Sequence, residues 1–149
     1  MDQRLITRVH HRQRRVPDLR SIHVVAGILL RPDDHILLSK RPEAADLGGY
    51  WELPGGKMKV GESRCQALTR ELLEELGAEV ERARPFHLHT HDYPKQQVTL
   101  DVWMVEAWRG ETSGREHQLI EWVPLAALRE RLLPPANEPV INKLLLSPR

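Results

Sequence analysis

Apolar and polar positions follow two different periods along this chain, and the switches between them mark out its elements. Ile22 to Leu30 is an apolar run rich in Val and Ile, closed by Arg31-Pro32-Asp33-Asp34, which has the composition of a tight turn. The pattern predicts a strand and a hairpin, with His35 to Ser39 as the returning strand. Pro42 to Gly49 reads as a loop leading into Trp51-Glu52-Leu53-Pro54-Gly55-Gly56, whose two glycines let the backbone bend where a side chain would clash. From Ser63 to Leu76 the period lengthens. Leu68, Leu72 and Leu76 recur every fourth residue with Ala67 beside them, which predicts an amphipathic helix capped by Ser63 and ended by Gly77.

Phe86 to His91 and Gln97 to Trp108 read as strands. In the second, Val98, Leu100, Val102 and Met104 share one face while Trp103 and Val105 stand on the other. A strand apolar on both faces is covered on both sides, so the expected fold class is α/β (α+β), a mixed β-sheet sandwiched between α-helices. Leu119 to Val123 adds a short strand, Leu125 to Leu132 a helix, and Pro139 to Leu146 a last helix closing the domain.

Composition narrows the class. The 149 residues, 40% hydrophobic and 29% charged, suffice for one globular domain with a real core. The single cysteine, Cys65, has no internal partner and reads as a buried structural thiol. No apolar run approaches the roughly 20 residues that span a bilayer. A soluble, cytoplasmic monomer without membrane partners is therefore expected. The net charge of +1 conceals an asymmetry, because residues 1 to 20 carry Arg4, Arg8, Arg12, Arg14, Arg15 and Arg20 against Asp2 and Asp18. Taking those 6 from 22 basic and those 2 from 21 acidic side chains leaves the remainder at about −3. Residues 1–20 thus read as a flexible Arg-rich extension ahead of a domain at 21–149. The extension lacks the serines and apolar face of a targeting peptide. No stable nucleic-acid complex is expected.

The chemistry lies in residues 56–78, GKMKVGESRCQALTRELLEELGA. Positions three and four apart on a helix share a face, so Glu71, Glu74 and Glu75 are expected to project together, away from the leucine stripe. An isolated ELLEEL segment would be solvated surface. Three carboxylates on one ridge also make a hard, oxygen-rich site for a small divalent cation, and Mg²⁺ suits it because it keeps waters and phosphate oxygens as its other ligands. Arg70 would orient a carboxylate through a bidentate pair.

Gly56, Glu62, Arg70, Glu71, Leu72, Glu74, Glu75, Gly77 and Ala78 match all nine fixed positions of the Nudix signature. A chance match in a chain of this length is on the order of one in ten million. The resemblance extends to Ser39-Lys40-Arg41, Trp51 to Gly56, Val98-Thr99-Leu100 with Trp103 and Val105, and Pro134-Pro135-Ala136-Asn137-Glu138-Pro139-Val140, which together are similar to the 8-oxo-dGTP diphosphatases of the MutT branch. That resemblance implies a Nudix fold and hydrolysis of a small-molecule nucleoside triphosphate to monophosphate and pyrophosphate, with Mg²⁺ as cofactor and Mn²⁺ able to substitute. It implies metal contacts from the Gly56 carbonyl, Glu71, Glu74, Glu75 and the loop residue Glu116, which also helps to activate the attacking water. Arg41 would contact the nucleotide, and Asn137 would read the edge of the oxidised base. As residues alone, Asn137 before Glu-Pro is equally a helix cap. Leu53 stands where the family often carries Phe in the base pocket, and His117-Gln118 resembles a sister branch acting on CTP or oxidised dCTP. A broader pyrophosphatase and a non-catalytic nucleotide-binding domain are the competing readings.

Overall fold

The computed structural model describes residues 20–148, with the backbone alone at Arg20, so the predicted Arg-rich extension lies otherwise outside the described residues. In chain order the elements are β1 (Arg20–Leu29), β2 (His35–Lys40), β3 (Trp51–Glu52), β4 (Gly55–Lys57), α1 (Arg64–Leu76), β5 (Glu79–Asp92), β6 (Gln96–Arg109), β7 (Ile120–Pro124) and α2 (Glu138–Leu146). A four-stranded sheet runs β4-β1-β6-β5, and a three-stranded sheet runs β3-β2-β7. β1 lies parallel to β6, whereas β4 and β5 run antiparallel to their neighbours, so the larger sheet is mixed.

The two apolar faces of β6 have the predicted consequence. On one side Leu100 and Val102 join Ala26 and Ile28 against Val140, Ile141 and Leu144 of α2. On the other, Trp103 and Val105 join Val25 and Leu29 against Ala67, Leu68, Leu72 and Leu76 of α1. Alternation in the strands thus builds two cores, one under each helix. α1 has the predicted ends: Ser63 accepts from the Gln66 N–H in a capping box, and Gly77 turns left-handed at φ 72°.

Several expectations are corrected. β1 and β2 do not form a hairpin: a single bridge, Leu30 to Ile36, joins them, and the chain passes from one sheet to the other at Arg31–Asp34. β5 extends back to Glu79 through a charged stretch without an apolar pattern, because it is the sheet edge and its outer residues pair across solvent, as Glu79 does with Arg109. Pro85 is tolerated there at a register irregularity. Leu125 begins a 3₁₀ helix that ends at Glu130, shorter than the predicted helix. Cys65 is exposed on α1, not buried. No helix among the described residues is long and apolar enough to cross a membrane.

Candidate active site

Gly55 and Gly56 lie in β4, and what they permit is close approach, not a bend. A Cβ at Gly55 would stand 2.0 Å from the Val25 carbonyl oxygen, and one at Gly56 would stand 2.5 Å from the Glu71 carboxyl carbon. Only bare backbone lets β4 pair with β1 at Val25 and leaves the Glu71 carboxylate against the strand.

The three helix glutamates separate by depth. Glu75 is buried; its Oε1 accepts from the Ser39 hydroxyl at 2.9 Å and its Oε2 from the Gly55 N–H at 2.8 Å. Burial, against the downward pull of these two hydrogen bonds and with the nearby Glu52 and Glu116 charges adding to it, pushes its carboxyl up to about 7. Glu71 is largely covered, while the Glu74 side chain is half exposed. Arg70 binds the group together. Its Nε and Nη2 make a bidentate pair with Glu62, and its Nη1 donates to Glu71 at 2.9 Å and to Glu74 at 3.2 Å. Arg70 also donates to the Lys57 carbonyl at 3.1 Å, which ties the helix to β4. The Arg70 guanidinium, helped by the Lys59 N–H, holds the Glu62 carboxyl down at about 2, and Glu62 in turn raises Arg70.

The end of α1 carries the loop with Glu116. Ser113 and Arg115 donate backbone N–H groups to the carbonyls of Leu76 and Glu75, and the Gln118 side-chain amide donates to the Glu75 carbonyl at 2.9 Å. These bonds satisfy orphan carbonyls of the helix and hold the exposed Glu116 where its charge reaches Glu75.

A divalent cation fits this donor chemistry. Several carboxylates stand close enough to raise Glu75, and the Glu71 carboxylate occupies the space a Cβ on Gly56 would fill. Among the described residues no three His, Cys, Asp or Glu side chains are gathered tightly enough to hold an ion unaided. The shared ridge expected for Glu71, Glu74 and Glu75 is therefore a partial cage, suited to an ion that keeps water and phosphate oxygens in its shell.

Beside it opens a cleft of about 700 Å³ whose lining includes Arg41, Glu52, Lys57, Tyr93, Lys95 and Asn137. Arg41 is aimed by its bonds to Glu52 (2.9 Å) and the Asp46 carbonyl (2.8 Å). Asn137 is buried at the cleft wall and does not cap α2: its side chain makes no cap bond, only a long 3.4 Å contact from Nδ2 to the Pro134 carbonyl. The capping alternative therefore falls. Leu53 packs in the core with Ile28, Ile36 and Leu128 and is not among the residues lining this cleft, though it lines a small apolar pocket together with Asn137.

Sequence reasoning missed the parts that hold this site. Asp101, fully buried on β6, accepts from Arg64 at 2.6 and 2.8 Å and from the Trp103 indole at 2.9 Å, with His23 Nε2 also at 2.9 Å. That knot anchors the first residue of α1 to the sheet. The only local sign was a carboxylate within an apolar strand, a position where a charge must be paired. Ser39 and Glu62 lay inside recognised segments, but their roles depend on partners 36 and 8 residues away.

A NUDIX domain model matches residues 25–143. The 8-oxo-dGTP diphosphatase of Escherichia coli (strain K12) is 37% identical over 126 residues, covering 85% of this chain and 98% of that protein. The CTP pyrophosphohydrolase of the same strain is 36% identical over 124 residues, covering 83% and 91%. Among solved structures, one described for MutT of Aliivibrio salmonicida and Vibrio cholerae superposes with a TM-score of 0.73 at 40% identity, covering 85% of this chain and 98% of that one.

Proposed function

Because the chain belongs to the Nudix family, we propose that it hydrolyses a nucleoside triphosphate to the monophosphate and pyrophosphate, with 8-oxo-dGTP as the substrate it clears before DNA synthesis. One observation carries the reading. A single cleft holds the cationic Arg41 and Lys57, adjoins the glutamate cluster through Lys57, whose carbonyl accepts from Arg70, and presents the buried amide of Asn137, which caps no helix. Guanine offers O6 and N7 as two acceptors, and oxidation at C8 turns N7 into an N–H donor. A carboxamide with one acceptor and one donor side then pairs with O6 and N7–H together, whereas unoxidised guanine sets acceptor against acceptor. The identity with an 8-oxo-dGTP diphosphatase supports the same assignment.

In this mechanism a Mg²⁺ ion, replaceable by Mn²⁺, would be held by Glu71, Glu74, Glu75, Glu116 and the Gly56 carbonyl, and supplies charge neutralisation and an acidified water. Arg41 and Lys57 bind the phosphate chain and stabilise the charge that grows on its oxygens. Arg70 keeps Glu71 and Glu74 in register with β4 through the Lys57 carbonyl. Water attacks the β-phosphorus, the bond to the α–β bridging oxygen breaks, and Glu116 takes the proton. The enzyme works as a cytoplasmic monomer, with the domain at residues 21–149 and residues 1–20 as an extension.

The likeness to a CTP pyrophosphohydrolase favours a second reading, pyrimidine triphosphates as substrate. Comparing kcat/KM for 8-oxo-dGTP, dGTP and CTP decides between them. Glu74→Gln lowers turnover by about 10²- to 10⁴-fold on the first reading while the fold stays intact. Full activity in that variant, or ¹⁸O from water appearing in the monophosphate and not in pyrophosphate, rejects the mechanism.

A further inference from the structure

Pro134 and Pro135 carry no N–H, so Ala136 provides the first backbone donor of the 3₁₀ turn Pro135–Asn137. Ala136 is buried, and a buried donor must find an acceptor. It finds the hydroxyl of Tyr93, at 3.2 Å and 43 residues earlier, in the turn between β5 and β6. That turn is closed by a bond from the Tyr93 N–H to the Gln96 carbonyl, and the Tyr93 ring packs on His91 at 4.5 Å between centroids. Tyr93 also lines the cleft that holds Asn137. Asn137 has little side-chain anchorage of its own, so its direction follows from the backbone of the turn that Tyr93 grips.

From the Tyr93 hydroxyl bond to Ala136 and the shared cleft wall, we propose that Tyr93 is a positioning residue for base selection. It locks the Pro134–Asn137 segment against the β5–β6 turn so that the Asn137 amide meets the base edge at a fixed angle. This rests on the reading of Asn137 as the base-contacting group. Among the described residues the hydrogen bonds of Tyr93 run to Ala136 and Gln96 and not to Arg41, Lys57 or Arg70, so its effect falls on discrimination and not on the chemical step.

Tyr93→Phe keeps the ring and its packing on His91 and removes only the hydroxyl. The expected result is a loss of about threefold to tenfold in the ratio of kcat/KM for 8-oxo-dGTP over dGTP, the worth of one hydrogen bond. The change lies in KM, with kcat for 8-oxo-dGTP within about twofold. Fluorescence titration with 8-oxo-dGMP and dGMP should show the same loss of preference without turnover. A purely structural tyrosine would lower the melting temperature and weaken both nucleotides equally, leaving the ratio unmoved; that result overturns the proposal. Asn137→Ala separates the two levels. If it collapses the ratio while Tyr93→Phe does not, the Tyr93 role is refuted and the base assignment stands. If neither changes it, the base assignment falls and takes this role with it. In the Asn137→Ala background, Tyr93→Phe should cost no further selectivity, and an additional loss would also refute the coupling.

Discussion

Asp101→Asn is the most searching perturbation of the scaffold beneath the site. The carboxylate accepts four contacts with no solvent exposure, from both nitrogens of the Arg64 fork, the Trp103 indole and His23. Asparagine is nearly isosteric but turns one oxygen into a donor, so at least one Arg64 N–H faces another N–H and the charge attraction is lost. A hydrogen bond to a charged group contributes about 1.5 to 3 kcal/mol, and Arg64 is 40% exposed, so water recovers part of it. The net loss is about 2 kcal/mol, or about 4 to 8 °C in melting temperature for a domain of this size. Acid provides the second axis. Burial alone would raise the Asp101 carboxyl, but the Arg64 and His23 bonds outweigh it and hold it below its ordinary value. A depressed folded-state pKa means the contribution is present above the unfolded value near 4 and is lost as pH falls through the lower folded value. Urea denaturation of both proteins from pH 7 to pH 3 measures this. The gap should be full at neutral pH and close in acid. Equal midpoints at pH 7, or a gap that stays constant to pH 3, would refute the argument that this carboxylate anchors α1.

Three further outcomes are expected. Gly56→Ala drives a Cβ into the Glu71 carboxylate, and displacing that group should cut turnover by about 10- to 100-fold with little change in melting temperature; unchanged turnover would mean Glu71 need not lie against β4. Leu53→Ala should cost about 2 to 5 kcal/mol by cavity formation and leave the ratio of kcat/KM for 8-oxo-dGTP over dGTP unchanged, and an altered ratio at unchanged stability would return Leu53 to the cleft. His87 and His89 lie tilted with ring centroids 5.0 Å apart, and burial holds both below 6.5; His89 and Lys143 add to the shift of His87, and His91 adds to that of His89 against the opposing pull of the Ala136 backbone. Since their folded pKa values are depressed, the unfolded chain binds more protons below pH 6.5 and stability falls there. Replacing both by Gln should flatten the stability profile between pH 6.5 and 5, as followed by thermal melts.

Local chemistry was legible in the chain itself. Ser63 and Gly77 set both ends of α1 through bonds spanning a few residues, and the spacing of Gly56, Glu62, Arg70, Glu71, Glu74 and Glu75 identified the family. The double-faced apolar pattern of β6 foretold helices on both sides of the sheet. What folding alone decided involves partners far apart in sequence. Glu71, Glu74 and Glu75 look equivalent on a helical wheel, yet Ser39 and Gly55 draw Glu75 inward while Glu74 meets solvent. Leu53, beside the glycines, went to the core, and Asp101, whose place in an apolar strand called for a partner without naming it, became the anchor of the helix. Caps and periodicity are encoded over a single turn or pleat, so nearby residues suffice to read them. Burial and pairing depend on which distant surfaces meet, and that is settled only when the two sheets and their helices close on one another.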